Sequence, residues 1–210
     1  MKDVIFLIGI PVAAYLIGSI PFGFLIGKWH GIDIRTVGSG NIGATNVTRS
    51  VGKRAGKLCF LLDFLKGMLP VLLVQHFAPV PPELALAAAL GVILGHIFPV
   101  YLDFKGGKGI STAAGVGLAL APLPLLAALA AWIVAFLTTR YVSLASIAAA
   151  VVLPAAVWIF PCAGLGGAVP LATRIFFTVI GAAAILRHRE NIRRLLNGTE
   201  SRFERKRKAQ

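Results

Sequence analysis

The chain has 210 residues, 57% of them hydrophobic and 14% charged, with a mean hydropathy of +0.83. A soluble domain carries about a quarter charged residues, so this composition excludes one and points to a bilayer. The 21 Lys and Arg against 8 Asp and Glu would suggest nucleic acid in a soluble protein, but here the basic residues gather in the gaps between apolar runs. That is the positive-inside pattern, and no nucleic-acid role is read from it.

The first apolar run, 4–27, is too long for a signal-peptide core and has no small-residue cleavage site, so it is expected to stay as a membrane helix. The stretch VGSGNIGATN follows at residues 37–46, with Arg49 just beyond it. Gly38, Gly40 and Gly43 let backbone N–H groups approach an anion, and Ser39, Asn41, Thr45 and Asn46 add short polar side chains. Gly38-Ser-Gly-Asn-Ile-Gly43 matches the dinucleotide fingerprint, and Asp63 lies 20 residues further on. That fingerprint needs a strand before it and a βαβ unit around it; here a membrane helix precedes it and Asp63 lies inside another, so it is rejected.

The second run, 58–77, carries Asp63 and Lys66 three residues apart on one helix face. Ionisable residues inside a membrane are costly and tend to be functional. Two readings stand: a structural ion pair, or Lys66 held by Asp63 as a phosphate ligand. The third run, 84–101, contains His96, read first as a packing or helix–helix contact. FKGGKGIST follows at 104–112. It lacks the frame of a nucleotide-binding P-loop, yet Gly107 and Gly109 flank Lys108, which suits a phosphoryl oxygen as a point charge.

The next run, 110–139, is too long for one crossing at about 1.5 Å per residue, and Pro122 and Pro124 interrupt it. It is split into 110–121 and 123–139. Runs at 142–160 and 168–186 complete the series. Basic residues fall after the first helix (Lys28, Arg35, Arg49, Lys53, Arg54, Lys57), after the third (Lys105, Lys108), after the split run (Arg140) and at the end. The connections 75–83, Pro122–Pro124 and 161–167 contain no Lys or Arg. The expectation is an all-α, polytopic single membrane domain with seven transmembrane helices, the N-terminus outside and the C-terminus cytoplasmic. Arg174, inside the last run, is expected to snorkel outward or meet a polar group. Gly23/Gly27 and Gly91/Gly95 are read as close helix–helix contacts. Residues 187–210 are read as a basic surface helix with a frayed end. Cys59 and Cys162 have no partners for a disulfide framework or a zinc site; no metal or cofactor is expected.

Four polar segments thus share the cytoplasmic side: 38–49, 104–112, 140–146 and 187–194. Ser143 and Ser146 begin a helix and suit a cap or an anion. His188 stands among Arg187, Arg189 and Asn191, where neighbouring cations favour the neutral imidazole. Together these segments read as one anion site.

Gly18-Ser-Ile-Pro-Phe-Gly23, Gly38 to Asn46, Asp63-Phe-Leu-Lys-Gly67, Gly95-His-Ile-Phe-Pro99, Phe104-Lys-Gly-Gly-Lys-Gly109, Tyr141 to Ser146 and Arg187-His-Arg-Glu-Asn191 carry a family resemblance in series. The chain resembles the bacterial acyl-phosphate-dependent glycerol-3-phosphate acyltransferases over nearly its whole length. The resemblance implies an inner-membrane enzyme that moves a fatty acyl group from acyl phosphate to the sn-1 hydroxyl of glycerol 3-phosphate, releasing lysophosphatidic acid and phosphate. It also implies partnership with the soluble enzyme that forms acyl phosphate. An acyl phosphate is already activated, so direct attack by the substrate hydroxyl needs no covalent enzyme intermediate. In this reading Ser39, Asn41, Thr45 and Arg49 cradle phosphate, Lys108 neutralises leaving group and oxyanion, and Ser146, His188 and Asn191 close the site. The proton goes to His188 or to a substrate phosphate oxygen. A transporter of a phosphorylated solute is the competing class, but it needs a polar path across the membrane, and the polar residues gather on one side.

Overall fold

A computed structural model describes residues 2–77, 81 and 83–203. Of the expected 75–83 connection, residues 78–80 and 82 lie outside the described residues, as do residues 204–210 of the basic tail. All regular structure among the described residues is helical. The chain divides into two compact units, Met1–Leu120 and Ala121–Gln210.

In the first unit, α1 (Lys2–Ser19) and α2 (Phe22–Trp29) occupy the first apolar run. Pro21 divides them: it has no N–H to give and disfavours helical geometry at Ile20. Together they form one candidate span, Phe6–Trp29. The short α3 (Ala44–Ser50) follows the glycine-rich loop, then α4 (Lys53–Phe77), α5 (Glu83–Ile97), a 3₁₀ turn (Val100–Leu102) and α6 (Ile110–Leu120). Helix α4 begins five residues before the apolar run because Lys53, Arg54 and Lys57 are helical but too polar for a hydropathy reading.

Backbone approaches at glycine build this unit. Gly91 and Gly95 of α5 face backbone atoms of Pro11, Tyr15 and Ser19 in α1, and Gly18 of α1 faces the Val92 carbonyl. The helix–helix reading of Gly91/Gly95 therefore stands. Gly23 and Gly27 differ: a Cβ there would meet the Ile42 carbonyl and the Ile32–Ile34 segment, so their face of α2 seats the glycine-rich loop.

The second unit contains α7 (Pro122–Thr139), α8 (Val142–Cys162), α9 (Leu171–Arg187) and α10 (Arg189–Leu196). The split of the 110–139 run falls at Ala121, where Pro122 opens α7 at a position that needs no N–H. Arg140 ends α7 with φ 62°, the left-handed conformation that turns the chain into α8. Arg174 donates to the Val169 carbonyl at 2.8 Å and lies over the Trp158 ring, the polar contact expected of it.

The outer surfaces are apolar. Leu58, Leu61, Leu69 and Leu73 of α4 and Leu126, Val134 and Leu137 of α7 are exposed, an arrangement stable only against lipid. Five helices or helix pairs are long and apolar enough to cross a membrane, and α9 with α10, bent by 53°, gives a sixth if the pair is one span. Helix α6, with 11 residues, is the short limb. Cys59 is buried, and Cys162, the last residue of α8, is exposed.

Candidate active site

The glycine-rich loop is folded around one amide. Asn46, 1% exposed, accepts the Ser39 N–H at 2.9 Å and donates to the carbonyls of Ile34 and Val37 at 2.8 and 3.1 Å. The side chain thus pairs three backbone groups, of which the Val37 carbonyl also accepts the Gly40 N–H at 3.0 Å. Gly38 and Gly40 take φ 60° and 67°, which only glycine adopts without strain, and a Cβ on Gly38 would collide with the Asn46 amide. Asn41 folds the next turn by accepting the Gly43 N–H at 2.8 Å. Ser39 and Arg49 are exposed and Thr45 is half-buried, so the loop presents these polar groups outward while Asn46 is spent inside.

At the loop's approach Asp33 is gripped by Arg35 through Nε at 3.0 Å and Nη2 at 2.7 Å. Those hydrogen bonds hold the Asp33 carboxyl well below the usual carboxylate range, with the Arg35 and Lys28 charges adding to them against a smaller cost of burial.

The loop with Lys108 is fixed from the end of α5. Gly106 N–H donates to the Ile97 carbonyl at 3.1 Å and Gly107 N–H to the His96 carbonyl at 3.0 Å, so the loop caps α5 with its own backbone. Neither glycine has room for a Cβ: Gly106 faces the His96 and Ile97 carbonyls, and Gly107 lies on the His96 ring. Phe104, a bulky residue, is held at φ 60°, and Asp103 at 50°. Such conformations cost about 1 kcal/mol or more and persist only where surroundings over-determine them. Lys108 and Gly109 lead directly into α6, so this half-buried residue stands at the positive end of a helix dipole. Both attract phosphate.

The two loops share a base. Ile34 and Ile42 from the first, Leu102 from the turn before the second, and Ile26, Val47 and Cys59 form one buried apolar cluster. The sequence-predicted residues Gly38, Ser39, Gly40, Asn41, Gly107, Lys108 and Gly109 therefore sit on loops with common support, and Thr45 and Arg49 sit on α3, which follows the first loop and joins the same cluster through Val47. Lys66, 5% exposed, is elsewhere: its ammonium pairs with Asp63 at 2.8 Å and donates to the Ile20 carbonyl at 2.7 Å, at the break between α1 and α2. The ion pair that both readings of Lys66 include is therefore formed, with the ammonium also held on the Ile20 carbonyl.

The second unit holds another polar set. Glu200 accepts from Ser143 Oγ and Asn191 Nδ2, both at 2.8 Å, and from Arg194 Nε at 2.7 Å. Burial raises the pKa of this carboxyl, but the Arg194, Asn191 and Ser143 hydrogen bonds and the Arg194 charge outweigh it and keep it below the ordinary range. Gly198, at φ 68°, turns the chain back after α10, and Phe203 N–H donates to the Arg140 carbonyl at 3.1 Å. Residues 197–203 are thus pinned to the turn between α7 and α8; the frayed end expected of the tail does not begin there.

Ser146 accepts from Trp132 Nε1 at 3.4 Å. His188 Nδ1 lies 2.8 Å from the Ala184 carbonyl. A carbonyl only accepts, so Nδ1 carries a proton. Glu200 is the residue of this polar set that sequence reasoning missed. Its one local signal was an Asn-Gly turn two residues earlier.

Comparison with known proteins gives the family. Residues 8–198 match the family model described as glycerol-3-phosphate acyltransferase. The chain is 49% identical over 195 residues to the glycerol-3-phosphate acyltransferase of Geotalea daltonii, covering 92% of this chain and 96% of the relative. It is 48% identical over 192 residues to that of Aquifex aeolicus, covering 91% and 96%. Among solved structures it is similar to PlsY, an integral membrane glycerol 3-phosphate acyltransferase, in its glycerol 3-phosphate form. The TM-score is 0.84 at 47% identity, over 93% of this chain and 94% of that one. On this evidence the chain belongs to the glycerol-3-phosphate acyltransferase family, as an integral membrane enzyme.

Proposed function

We propose that this acyltransferase uses acyl phosphate as donor and acylates the sn-1 hydroxyl of glycerol 3-phosphate, giving lysophosphatidic acid and inorganic phosphate. The observation that carries the reading is the pair of glycine-rich loops, one running into α3 with Arg49 and one with Lys108, seated on a single buried cluster. Donor and acceptor each bring a phosphate, and two anions call for more than one cation. The substrate hydroxyl oxygen attacks the acyl carbonyl carbon, the bond from that carbon to the phosphate oxygen breaks, and phosphate leaves with the electron pair. Because the donor is an activated mixed anhydride, no covalent enzyme intermediate forms.

Ser39, Asn41, Thr45 and Arg49 bind phosphate, on a backbone turned at Gly38 and Gly40. Lys108, between Gly107 and Gly109, stabilises the oxyanion and the leaving phosphate. Asn46 serves this loop by shaping it and Lys66 serves by supporting the break beside Pro21. From the second unit, His188 Nε2 is a base of suitable chemistry for the hydroxyl proton, a substrate phosphate oxygen being the other. Ser143, Ser146 and Asn191 supply hydrogen bonds. The enzyme works at the cytoplasmic side of the bacterial inner membrane, where it receives acyl phosphate from the soluble enzyme that makes it.

Purified protein given acyl phosphate and glycerol 3-phosphate should release phosphate and lysophosphatidic acid in equal amounts, and acyl-CoA should not replace the donor. Acylation from acyl-CoA alone overturns the donor assignment. If His188→Gln keeps near-normal turnover while Lys108→Ala loses about 100-fold or more, the substrate phosphate is the base; the reverse result assigns His188.

A further inference from the structure

Three charged or titratable side chains meet inside the first unit, away from the groups that the loops present outward. Asp63 Oδ1 is 2.8 Å from Lys66 Nζ and 3.7 Å from His96 Nδ1, and Cys59 Sγ lies 3.6 Å from Asp63 Oδ2. Asp63, Lys66 and His96 are each at most 5% exposed. A buried pair of this kind gains little stability over an apolar replacement, so its retention asks for another reason.

The reason is visible in what the cluster touches. Through Lys66 it reaches the Ile20 carbonyl, at the break that lets α2 set out in its own direction. Through His96 it reaches the Lys108 loop twice: the His96 carbonyl accepts the Gly107 N–H, and the His96 ring is the surface against which Gly107 lies. Elsewhere on the ring, Nδ1 lies 3.7 Å from the Asp63 carboxylate, close enough for a charge to orient it. A ring so held sets the height of Gly107, and Lys108 is the next residue.

We infer that His96, oriented by Asp63, is a positioning residue for the loop that carries Lys108, and that the Asp63–Lys66 pair joins this support to the α1–α2 break. This rests on the role proposed above for Lys108. His96 acts through the loop and does not touch substrate.

The test compares two adjacent glycines. A Cβ on Gly107 meets the His96 side chain, whereas a Cβ on Gly106 meets the carbonyls of His96 and Ile97 and the Pro99 ring. Truncating the imidazole therefore makes room at Gly107 and none at Gly106. In the full-length enzyme, kcat and KM for both substrates are measured for His96→Ala, Gly107→Ala, Gly106→Ala and the two double variants, with thermal unfolding of each. His96→Ala and Gly107→Ala should each lower kcat/KM about 100-fold, the loss expected of a misplaced group. The His96→Ala/Gly107→Ala double should be more active than Gly107→Ala alone, while the losses of His96→Ala and Gly106→Ala should multiply. A general loss of stability does not tell one glycine from the other. Normal kcat and KM in His96→Ala, or losses that multiply at both glycines, overturn the inference. If His96→Ala does not yield folded enzyme, His96→Asn, smaller than imidazole but still able to donate to Asp63, is read the same way. Lys108→Ala on the same footing separates the two claims. Turnover kept by Lys108→Ala overturns both, whereas an inactive Lys108→Ala beside a normal His96→Ala overturns the positioning role alone.

Discussion

Each unit folds a short irregular segment around one buried polar side chain, and the two side chains are chemically different. Asn46 holds the glycine-rich loop with an uncharged amide that accepts one backbone hydrogen bond and donates two. Glu200 holds the returning tail with a carboxylate that accepts three side-chain hydrogen bonds, one from a guanidinium. The amide fixes backbone and does not titrate; the carboxylate gathers side chains from α8 and α10 and depends on its charge. A loop that presents hydrogen-bond donors to an anionic substrate is best shaped by a neutral residue, because a carboxylate beside it would repel the ligand.

The comparison breaks most severely at Asn46. Asn46→Leu removes the acceptor of the Ser39 N–H and the donor to the Ile34 carbonyl, while the Val37 carbonyl keeps the Gly40 N–H. At about 1–3 kcal/mol for each group left unpaired, the loss should be about 2 kcal/mol or more, measured as a fall in unfolding midpoint together with loss of turnover at every pH. Asn46→Asp should also be defective, since it keeps the acceptor, loses both donors and adds a negative charge. Normal activity in Asn46→Asp would remove the argument for a neutral clamp.

Glu200→Gln is expected to cost less, about 1–2 kcal/mol, because an amide oxygen still accepts from Ser143 or Asn191 while the charge-assisted bond to Arg194 weakens. Denaturant unfolding at neutral pH measures it. The pH dependence gives a finer contrast. The folded-state pKa of Glu200 lies below its ordinary 4.5, so its contribution is fully present above that value and is lost as pH falls through the folded-state value. Part of the wild-type loss of stability below about pH 4.5 should be absent in Glu200→Gln, while Asn46→Ala should keep the wild-type slope. The smallest effect belongs to Asp33. Its pair with Arg35 is exposed, so Asp33→Asn should leave the unfolding midpoint and kcat/KM near wild-type values, with any difference vanishing in high salt.

How much of this could be seen beforehand depended on the range of each interaction. The helices were legible because hydropathy is a local property, and the break at Ala121 was legible because Pro122 and Pro124 interrupt a run too long for one crossing. The break at Ile20 was not, although Pro21 makes it. Pro11, Pro70 and Pro154 lie inside continuous helices, so a proline in an apolar run does not by itself decide between break and continuation. What sets Pro21 apart is the Lys66 ammonium on the Ile20 carbonyl, a contact 46 residues away in sequence. The Asp63–Lys66 pair was legible at a spacing of three. Glu200 was not, because Ser143 lies 57 residues from it and nothing in a basic tail distinguishes one glutamate from a solvated neighbour. Asn46 was found but read as a ligand, since composition shows that a loop carries polar groups and not which way they turn. For the same reason the Gly23/Gly27 pair was matched to a second helix when its partner is the loop that follows it.

The contrast between the two thiols gives the chain a built-in sidedness reporter. Cys59 is enclosed beside Asp63, whereas Cys162 ends α8 in the open. A membrane-impermeant maleimide applied to intact cells, after removal of the outer barrier, should modify one cysteine of the native sequence. Labelling from the periplasm supports the expectation from the charge distribution that the end of α8 lies outside, and labelling only after the membrane is breached overturns that expectation. No engineered cysteine and no tag is needed, so the orientation of the whole chain can be read from a single natural side chain.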